Sequence, residues 1–149
     1  MDLYSYISVL ILCTIIGGCK HASQSAPEQG LRGQVWWYEG NFMPGPDSQR
    51  QPDPVVREVW IYPLITIQQT SNDGPVYSQI NAEVFSKVTT DEDGAFIIAL
   101  PPGRYSVFTK EPDGLFANLS DGEGNINPVS IEKGKITEIK IDINYKATY

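Results

Sequence analysis

The chain is poor in the residues from which most active sites are built. Its 149 residues hold one histidine, His21, and two cysteines, Cys13 and Cys19. A single histidine near the N-terminus supplies no Ser–His–Asp or Cys–His arrangement to the rest of the chain. Zinc, copper and iron sites lack their usual ligands, since no histidine cluster and no spare thiol follow. No disulfide framework is available either, so whatever folds beyond residue 19 must rest on its core alone. Basic residues are scarce: 11 Lys and Arg stand against 18 Asp and Glu, a formal charge of -7. Such a surface repels phosphate backbones and argues against nucleic acid as a partner. Long apolar runs are missing too. The run at 7–16 is only about half of the roughly 20 residues that span a bilayer as a helix. From Leu31 to Tyr149 no window of a dozen residues shows a 3.6-residue apolar period, which argues against helices there.

The apolar run, Ile-Ser-Val-Leu-Ile-Leu-Cys-Thr-Ile-Ile, has the length of a signal-peptide core. Ile16-Gly17-Gly18-Cys19 follows at once and resembles the lipobox of bacterial lipoproteins: an aliphatic residue, two small residues, then cysteine. The n-region departs from that pattern, carrying Asp2 and no Lys or Arg. The resemblance implies that residues 1–18 are a secretion signal and that Cys19 carries the diacylglycerol and palmitate of the mature N-terminus. Two or three acyl chains hold a protein to a bilayer far better than one myristoyl group. Loss of 1–18 removes one acid and no base, leaving 17 acids against 11 bases, a charge of -6. Residues 20–30 are small and polar and read as a flexible tether. Lys20 directly after the cysteine implies, by the sorting logic of Gram-negative lipoproteins, an outer-membrane position facing the periplasm.

Residues 31–149 form the one domain that this length allows. Short alternating or apolar runs recur between Gly, Pro, Asn and Asp, the pattern of strands and turns. Seven strands are expected, over 31–38, 55–62 with a possible extension to 68, 83–89, 95–100, 104–110, 127–132 and 136–144. The fold class is therefore all-β, an antiparallel sandwich. In the last strand Ile139, Ile141, Ile143 and Tyr145 face one way, and Lys140, Asp142 and Asn144 the other. The segment Glu132-Lys133-Gly134-Lys135 before it reads as the turn of a hairpin with 127–132.

Residues 88–108 carry the most specific pattern: strand, Asp93-Gly94 turn, strand, Pro101-Pro102-Gly103 turn, strand. Thr90, Asp91, Gly94 and Phe96, followed by Leu100, Pro101, Gly103 and Tyr105, resemble the carboxypeptidase regulatory-like domain. The resemblance covers about 31–145 and implies a Greek-key, prealbumin-like sandwich. More narrowly, the segments at 30–41, 55–58, 116–118 and 121–129 resemble a subgroup of Bacteroidota lipoproteins with no assigned activity.

The candidate ligand or partner surface is aromatic. Trp36, Trp37 and Tyr38 are consecutive on one expected strand and must point to alternating faces. Beside them, the Pro-rich stretch 40–54 presents Phe42 and Met43, and loops of that length are commonly functional. Core packing is the competing account of these aromatics, and of Trp60 and Tyr62 on a second strand. The acidic run Asp91-Glu92-Asp93-Gly94 is read as a solvated turn before a Ca²⁺ loop, because it lacks the distal bidentate Glu of an EF-hand. No cofactor, metal site or catalytic residue is expected. The functional expectation is a non-catalytic, membrane-anchored envelope domain. Its partners are the bilayer, through acylated Cys19, and an envelope protein or glycan. A purely structural module and a carboxylate-based hydrolase are the alternatives.

Overall fold

A computed structural model describes residues 26–45 and 50–149. The signal segment 1–18, Cys19, His21 and the tether to 25 lie outside the described residues. Eleven strands are present among the described residues: β1 (Gly30–Asn41), β2 (Asp53–Pro54), β3 (Glu58–Pro63), β4 (Thr70–Asp73), β5 (Val76–Ile80), β6 (Ser86–Thr89), β7 (Ala95–Ala99), β8 (Gly103–Glu111), β9 (Gly114–Phe116), β10 (Pro128–Ile131) and β11 (Ile136–Thr148). A single 3-10 turn, Ile67–Gln69, stands where the second expected strand was extended to 68. Prediction of an all-β sandwich is thus met, with more strands than the seven expected: β1, β8 and β11 run longer than expected, and short strands are added between.

Two sheets face each other. One has four strands, with β1 at its centre between β11 on one side and β7 and β2 on the other. The second runs β4-β5-β9-β8-β3-β6, with β10 added beside the start of β8. All pairings are antiparallel except β1 with β11, which run parallel from Gly30 opposite Ile136 to Asn41 opposite Thr148. The core between the sheets takes Leu31, Val35, Phe96, Ile141 and Ile143 from the first sheet, and Val59, Ile61, Val107, Phe116 and Val129 from the second. Period-two alternation explains each choice, since every second residue of a strand meets the same neighbour layer. Each such aliphatic or Phe side chain contributes about 1.5–3 kcal/mol on full burial. Exposed pairs such as Arg32–Glu138, with side chains 51% and 72% exposed, contribute about 0–1 kcal/mol and do not decide the fold.

Sequence neighbours seldom pair here. The expected hairpin through 132–135 is instead a corner: β10 pairs with β8 in one sheet, while β11 pairs with β1 in the other. The same holds at Asp91–Gly94, which carries the chain from β6 in the second sheet to β7 in the first, and at Pro101–Pro102, which returns it to β8. Both strands at such a corner turn their apolar residues inward. They therefore meet face to face across the roughly 10 Å between sheets rather than edge to edge at about 4.8 Å. The Tyr105 hydroxyl closes the second corner by donating to the Pro101 carbonyl oxygen at 3.0 Å.

A second apolar cluster covers the outer face of the larger sheet. Tyr62, Tyr77, Phe108 and Leu115 pack there under Ile65, Ala117 and Ile126 from the segments beside β3 and β9. Phe108 is its centre, meeting Tyr62 and Tyr77 edge-on at 5.6 and 5.5 Å.

Thr109 is fully buried in the inter-sheet face of β8, and its Oγ1 has no hydrogen-bond partner among the described residues. A buried hydroxyl without a partner costs about 1–3 kcal/mol. Thr109→Val, which keeps the branched shape, is expected to raise stability by about 1 kcal/mol. An unchanged or lower urea midpoint at constant m-value would contradict this.

Candidate functional site

The strand β1 sorts the three consecutive aromatics. Val35 and Leu31 face the core, so Trp37 shares their side and Trp36 and Tyr38 take the other. Trp37 meets Tyr145 edge-on at 5.4 Å, and Nε1 donates to Glu39 Oε2 at 3.1 Å. Two cations stand over its ring, the Arg57 guanidinium at 5.4 Å and Lys146 Nζ at 5.7 Å. Trp37 therefore belongs to the packing of the sandwich, not to the outer surface.

Trp36 and Tyr38 lie on the outer face of the four-stranded sheet, where Lys140 on β11 reaches both. Its Nζ stands 5.9 Å from the Trp36 ring and 5.6 Å from the Tyr38 ring, and donates to the Tyr38 hydroxyl at 3.0 Å. It also pairs with Asp142 at 2.8 Å. The bond to Asp142, then that to Tyr38, pushes the Lys140 pKa upward, so the ammonium is retained at any physiological pH. Phe42 extends the row, with its ring 5.1 Å from Tyr38 and 6.2 Å from Tyr149. Its amide donates to the Thr148 carbonyl oxygen at 2.8 Å, so Phe42 is clamped rather than free. Met43 follows, 44% exposed, with its amide donating to Asn41 Oδ1 at 2.8 Å. Of the five aromatic and apolar candidates, Trp36, Tyr38 and Phe42 form one row, Met43 continues it into solvent, and Trp37 sits on the reverse face.

The Pro-rich stretch is shorter as a loop than its composition implies. Gly40 and Asn41 complete β1, and Asp53–Pro54 forms a two-residue strand opposite Trp37 and Trp36. Pro54 is tolerated because β2 is an edge, where a missing N–H costs no ladder bond. Residues 46–49 lie outside the described residues. Trp60 and Tyr62 share the outer face of the larger sheet, with Lys87 Nζ 3.5 Å over the Trp60 ring and Tyr62 within the second cluster.

The cluster around Glu111 went unrecognised in the sequence. Glu111 is 2% exposed at the end of β8. Its Oε1 accepts from Arg57 Nε at 2.9 Å, and its Oε2 accepts from the Tyr145 hydroxyl at 3.0 Å. Burial, then the bond to Glu111, pushes the Tyr145 pKa up to about 12. The signal was available: Tyr105, Val107, Thr109 and Glu111 share one parity, so the alternation itself aims Glu111 inward. Chemically the group is a lock between sheets. Both carboxylate oxygens are engaged, and a phenol titrating near 12 is poorly matched to general acid–base work near neutrality.

Asp91 and Asp121 build the same five-residue turn twice. In the first, Asp91 Oδ1 accepts from the amides of Asp93 at 3.0 Å and Ala95 at 2.8 Å. In the second, Asp121 Oδ1 accepts from Glu123 at 3.0 Å and Asn125 at 2.8 Å. Each turn carries glycine at its fourth position, Gly94 at φ 71° and Gly124 at φ 81°. An Asp side chain bonding its own downstream amides is the reason Asp starts such turns. Asp121 Oδ2 also accepts from Asn125 Nδ2 at 2.7 Å and Arg104 at 3.3 Å. The bond from the Asn125 side chain is the first cause of its lowered pKa. Gly94 is buried against β1, so the first turn is a docked corner and only its acidic residues are solvated. Among the described residues no group of three or more His, Cys, Asp or Glu is placed to hold a metal ion.

No helix among the described residues is long and apolar enough to cross a membrane. The chain matches no protein-family model, no curated protein and no solved structure.

Proposed function

We propose that this chain is a non-catalytic binding domain of the bacterial cell envelope, held at the outer membrane through acylated Cys19. The observation that carries this reading is the outward row Trp36–Tyr38–Phe42, fastened by Lys140 to a rigid sheet. Aromatic side chains on a fixed backbone offer a large contact area at low entropic cost, which suits recognition of a glycan or protein surface. Its position supports the same reading. β1 leaves the tether at Gly30 and reaches Phe42 only after its twelve residues, roughly 35–40 Å along the strand. The row thus runs from the middle of β1 at Trp36 towards the end away from Gly30, where Phe42 and Met43 follow the strand. The resemblance of residues 88–108 to the carboxypeptidase regulatory-like domain fits an accessory rather than a catalytic role.

Assembly through sheet edges, the structural alternative, is disfavoured on β11. There Asn118 Nδ2 donates to the Asp142 carbonyl oxygen at 3.2 Å and to Asn144 Oδ1 at 3.1 Å, plugging the strand that a partner would extend.

The test places a photo-crosslinking side chain at Tyr38 or at Glu58, on the other sheet, in the membrane-tethered full chain. Adducts are expected at position 38 and not at 58. Trp36→Ala is expected to weaken capture of the same adduct roughly thirtyfold, the effect of a central aromatic anchor. Equal adducts at both positions, or indifference to Trp36→Ala, would defeat the reading. The anchor is tested separately by Cys19→Ala, which is expected to abolish palmitate incorporation and release the chain from the membrane fraction.

A further inference from the structure

On the opposite side of the molecule, the outer face of the larger sheet opens into a recess of about 410 Å³. Its walls come from the segment after β3, the β4–β5 turn and the chain after β9. Ile67, Pro75, Tyr77, Ala117, Leu119 and Ile126 supply the apolar lining, with Asn118 and Ser120 as its polar side chains. Three features set it apart. It holds no charged residue, although 29 of the 149 residues are Asp, Glu, Lys or Arg. Two large aliphatic side chains stand at it in water, Ile67 at 45% and Leu119 at 60% exposure, where a solvent-facing loop ordinarily places polar groups. Finally, Tyr77 lines it, and its hydroxyl bonds to no described residue and is not one of the polar atoms shut off from solvent. A phenol O–H that reaches solvent is free to donate to a molecule that displaces the water there.

The backbone keeps this space open. Gly74 and Gly124 both line it with positive φ, 58° and 81°, and a Cβ at Gly74 would meet nothing within 4 Å. Thr66 and Asn125 bridge behind the recess, and the Asp121 turn ties its rim to Arg104. Tyr77, one of its walls, is backed by the Phe108 ring, which it meets edge-on at 5.5 Å.

We propose that this recess is a binding site for a small, uncharged, ring-bearing molecule that carries a hydrogen-bond acceptor for the Tyr77 hydroxyl. Its size is ample for one ring, since apolar cavities of about 150 Å³ take up benzene. Uncharged chemistry follows from the lining, because an ion buried here would lose its hydration with no counter-charge to replace it. The acceptor follows from the free phenol O–H. Asn118 Nδ2 is not an alternative donor, being spent on Asp142 and Asn144. This site is independent of the Trp36 row, which lies on the other sheet.

The experiment titrates the full-length ¹⁵N-labelled chain with three probes of one shape: acetophenone, ethylbenzene and benzoate. Acetophenone is expected to shift the amides of Leu119 and Gly124 saturably, with a Kd of about 1 mM or below. Benzoate is expected to bind at least about tenfold more weakly. Tyr77→Phe should weaken acetophenone about fivefold, the worth of one hydrogen bond, and leave ethylbenzene unchanged. Ile67→Lys with Leu119→Lys, both exposed sites whose change spares the core, should remove both ligands. Trp36→Ala should alter neither. The proposal is overturned if no saturable shift occurs, if benzoate binds as well as acetophenone, or if the double lysine variant binds undiminished. An unchanged acetophenone Kd in Tyr77→Phe overturns the role of the hydroxyl.

Discussion

Glu111→Ala is expected to destabilise the fold by about 3 kcal/mol, the lower end of the cost of breaking a buried charge pair. Two groups lose their partner at once. Arg57 Nε, held at 2.9 Å, and the Tyr145 hydroxyl, at 3.0 Å, are left facing a void between the sheets. Trp37 then loses two of its neighbours' fixed positions, since Tyr145 abuts its edge and Arg57 its face. The loss stays at the lower end because Arg57, 29% exposed, can turn to water while Tyr145 cannot follow it so freely. In a domain of this size the melting temperature should fall by roughly 10 °C. Glu111→Gln, which keeps the shape and an acceptor for Tyr145, should cost about half as much. A fall of less than about 2 °C in the alanine variant would show that the lock carries no weight.

The same cluster predicts how the fold responds to alkali. Tyr145 has its pKa raised from 10.0 to about 12, chiefly by burial and next by its bond to Glu111. Between those values the unfolded chain has lost the phenol proton and the folded chain has kept it. Proton uptake therefore favours the native state, and stability falls as pH rises above 10 and through 12. Tyr62, Tyr77 and Tyr105 are raised by burial as well, so they act with the same sign. Urea midpoints measured from pH 9 to 12 should decline steadily, and less steeply for Tyr145→Phe. A flat profile would contradict the assignment.

Gly94→Ala is the second large effect, and Gly124→Ala is its control. Both glycines occupy the fourth place of the same Asp-led turn, at φ 71° and 81°. Alanine in that left-handed region costs about 1–2 kcal/mol at either. At Gly124 nothing else opposes it, for the nearest atom to an added Cβ is Ile67 Cγ2 at 4.0 Å. At Gly94 the Cβ would lie 2.4 Å from the Val35 carbonyl oxygen and 3.2 Å from the Val55 amide. Those are backbone atoms of β1 and of the residue after β2, against which the corner docks. Val35 N–H bonds the Gly94 carbonyl at 2.8 Å, so neither side can withdraw without breaking that bond. Gly94→Ala should therefore cost about 3–4 kcal/mol, the torsional penalty plus a forced separation of corner and strand. Equal losses at the two positions would mean that the docking of the corner is unimportant.

Legibility in the sequence followed the range of the physics involved. Alternation along a strand is a property of the strand alone, so Ile139, Ile141 and Ile143 were placed inward, and Trp36 and Trp37 on opposite faces, without knowing any partner. Turn chemistry is equally local, and Asp91 and Gly94 mark their turn by the bonds that one side chain and one positive φ allow. The strands over Thr70–Asp73, Val76–Ile80 and Gly114–Phe116 escaped notice because they are short and rich in polar or glycine residues. The Glu111 lock was missed although its parity was visible. Nothing local says that Arg57, 54 residues away, and Tyr145, 34 residues away, converge on it.

The sequence by itself determined the all-β class, the apolar and polar faces of the long strands, the placing of the main turns and the opposite faces of Trp36 and Trp37. Each of these follows from dihedral preference and burial within a few residues. Only the tertiary structure decided which strands pair. It made 132–135 and Asp91–Gly94 corners between sheets, set β1 parallel to β11, closed the Glu111 lock and opened the recess at Tyr77. Pairing depends on contacts between distant segments, and two strands with the same alternation look identical whether they lie edge to edge or face to face. The roughly 10 Å between sheets and 4.8 Å between strands are distinguished by the whole core, not by any one stretch of chain.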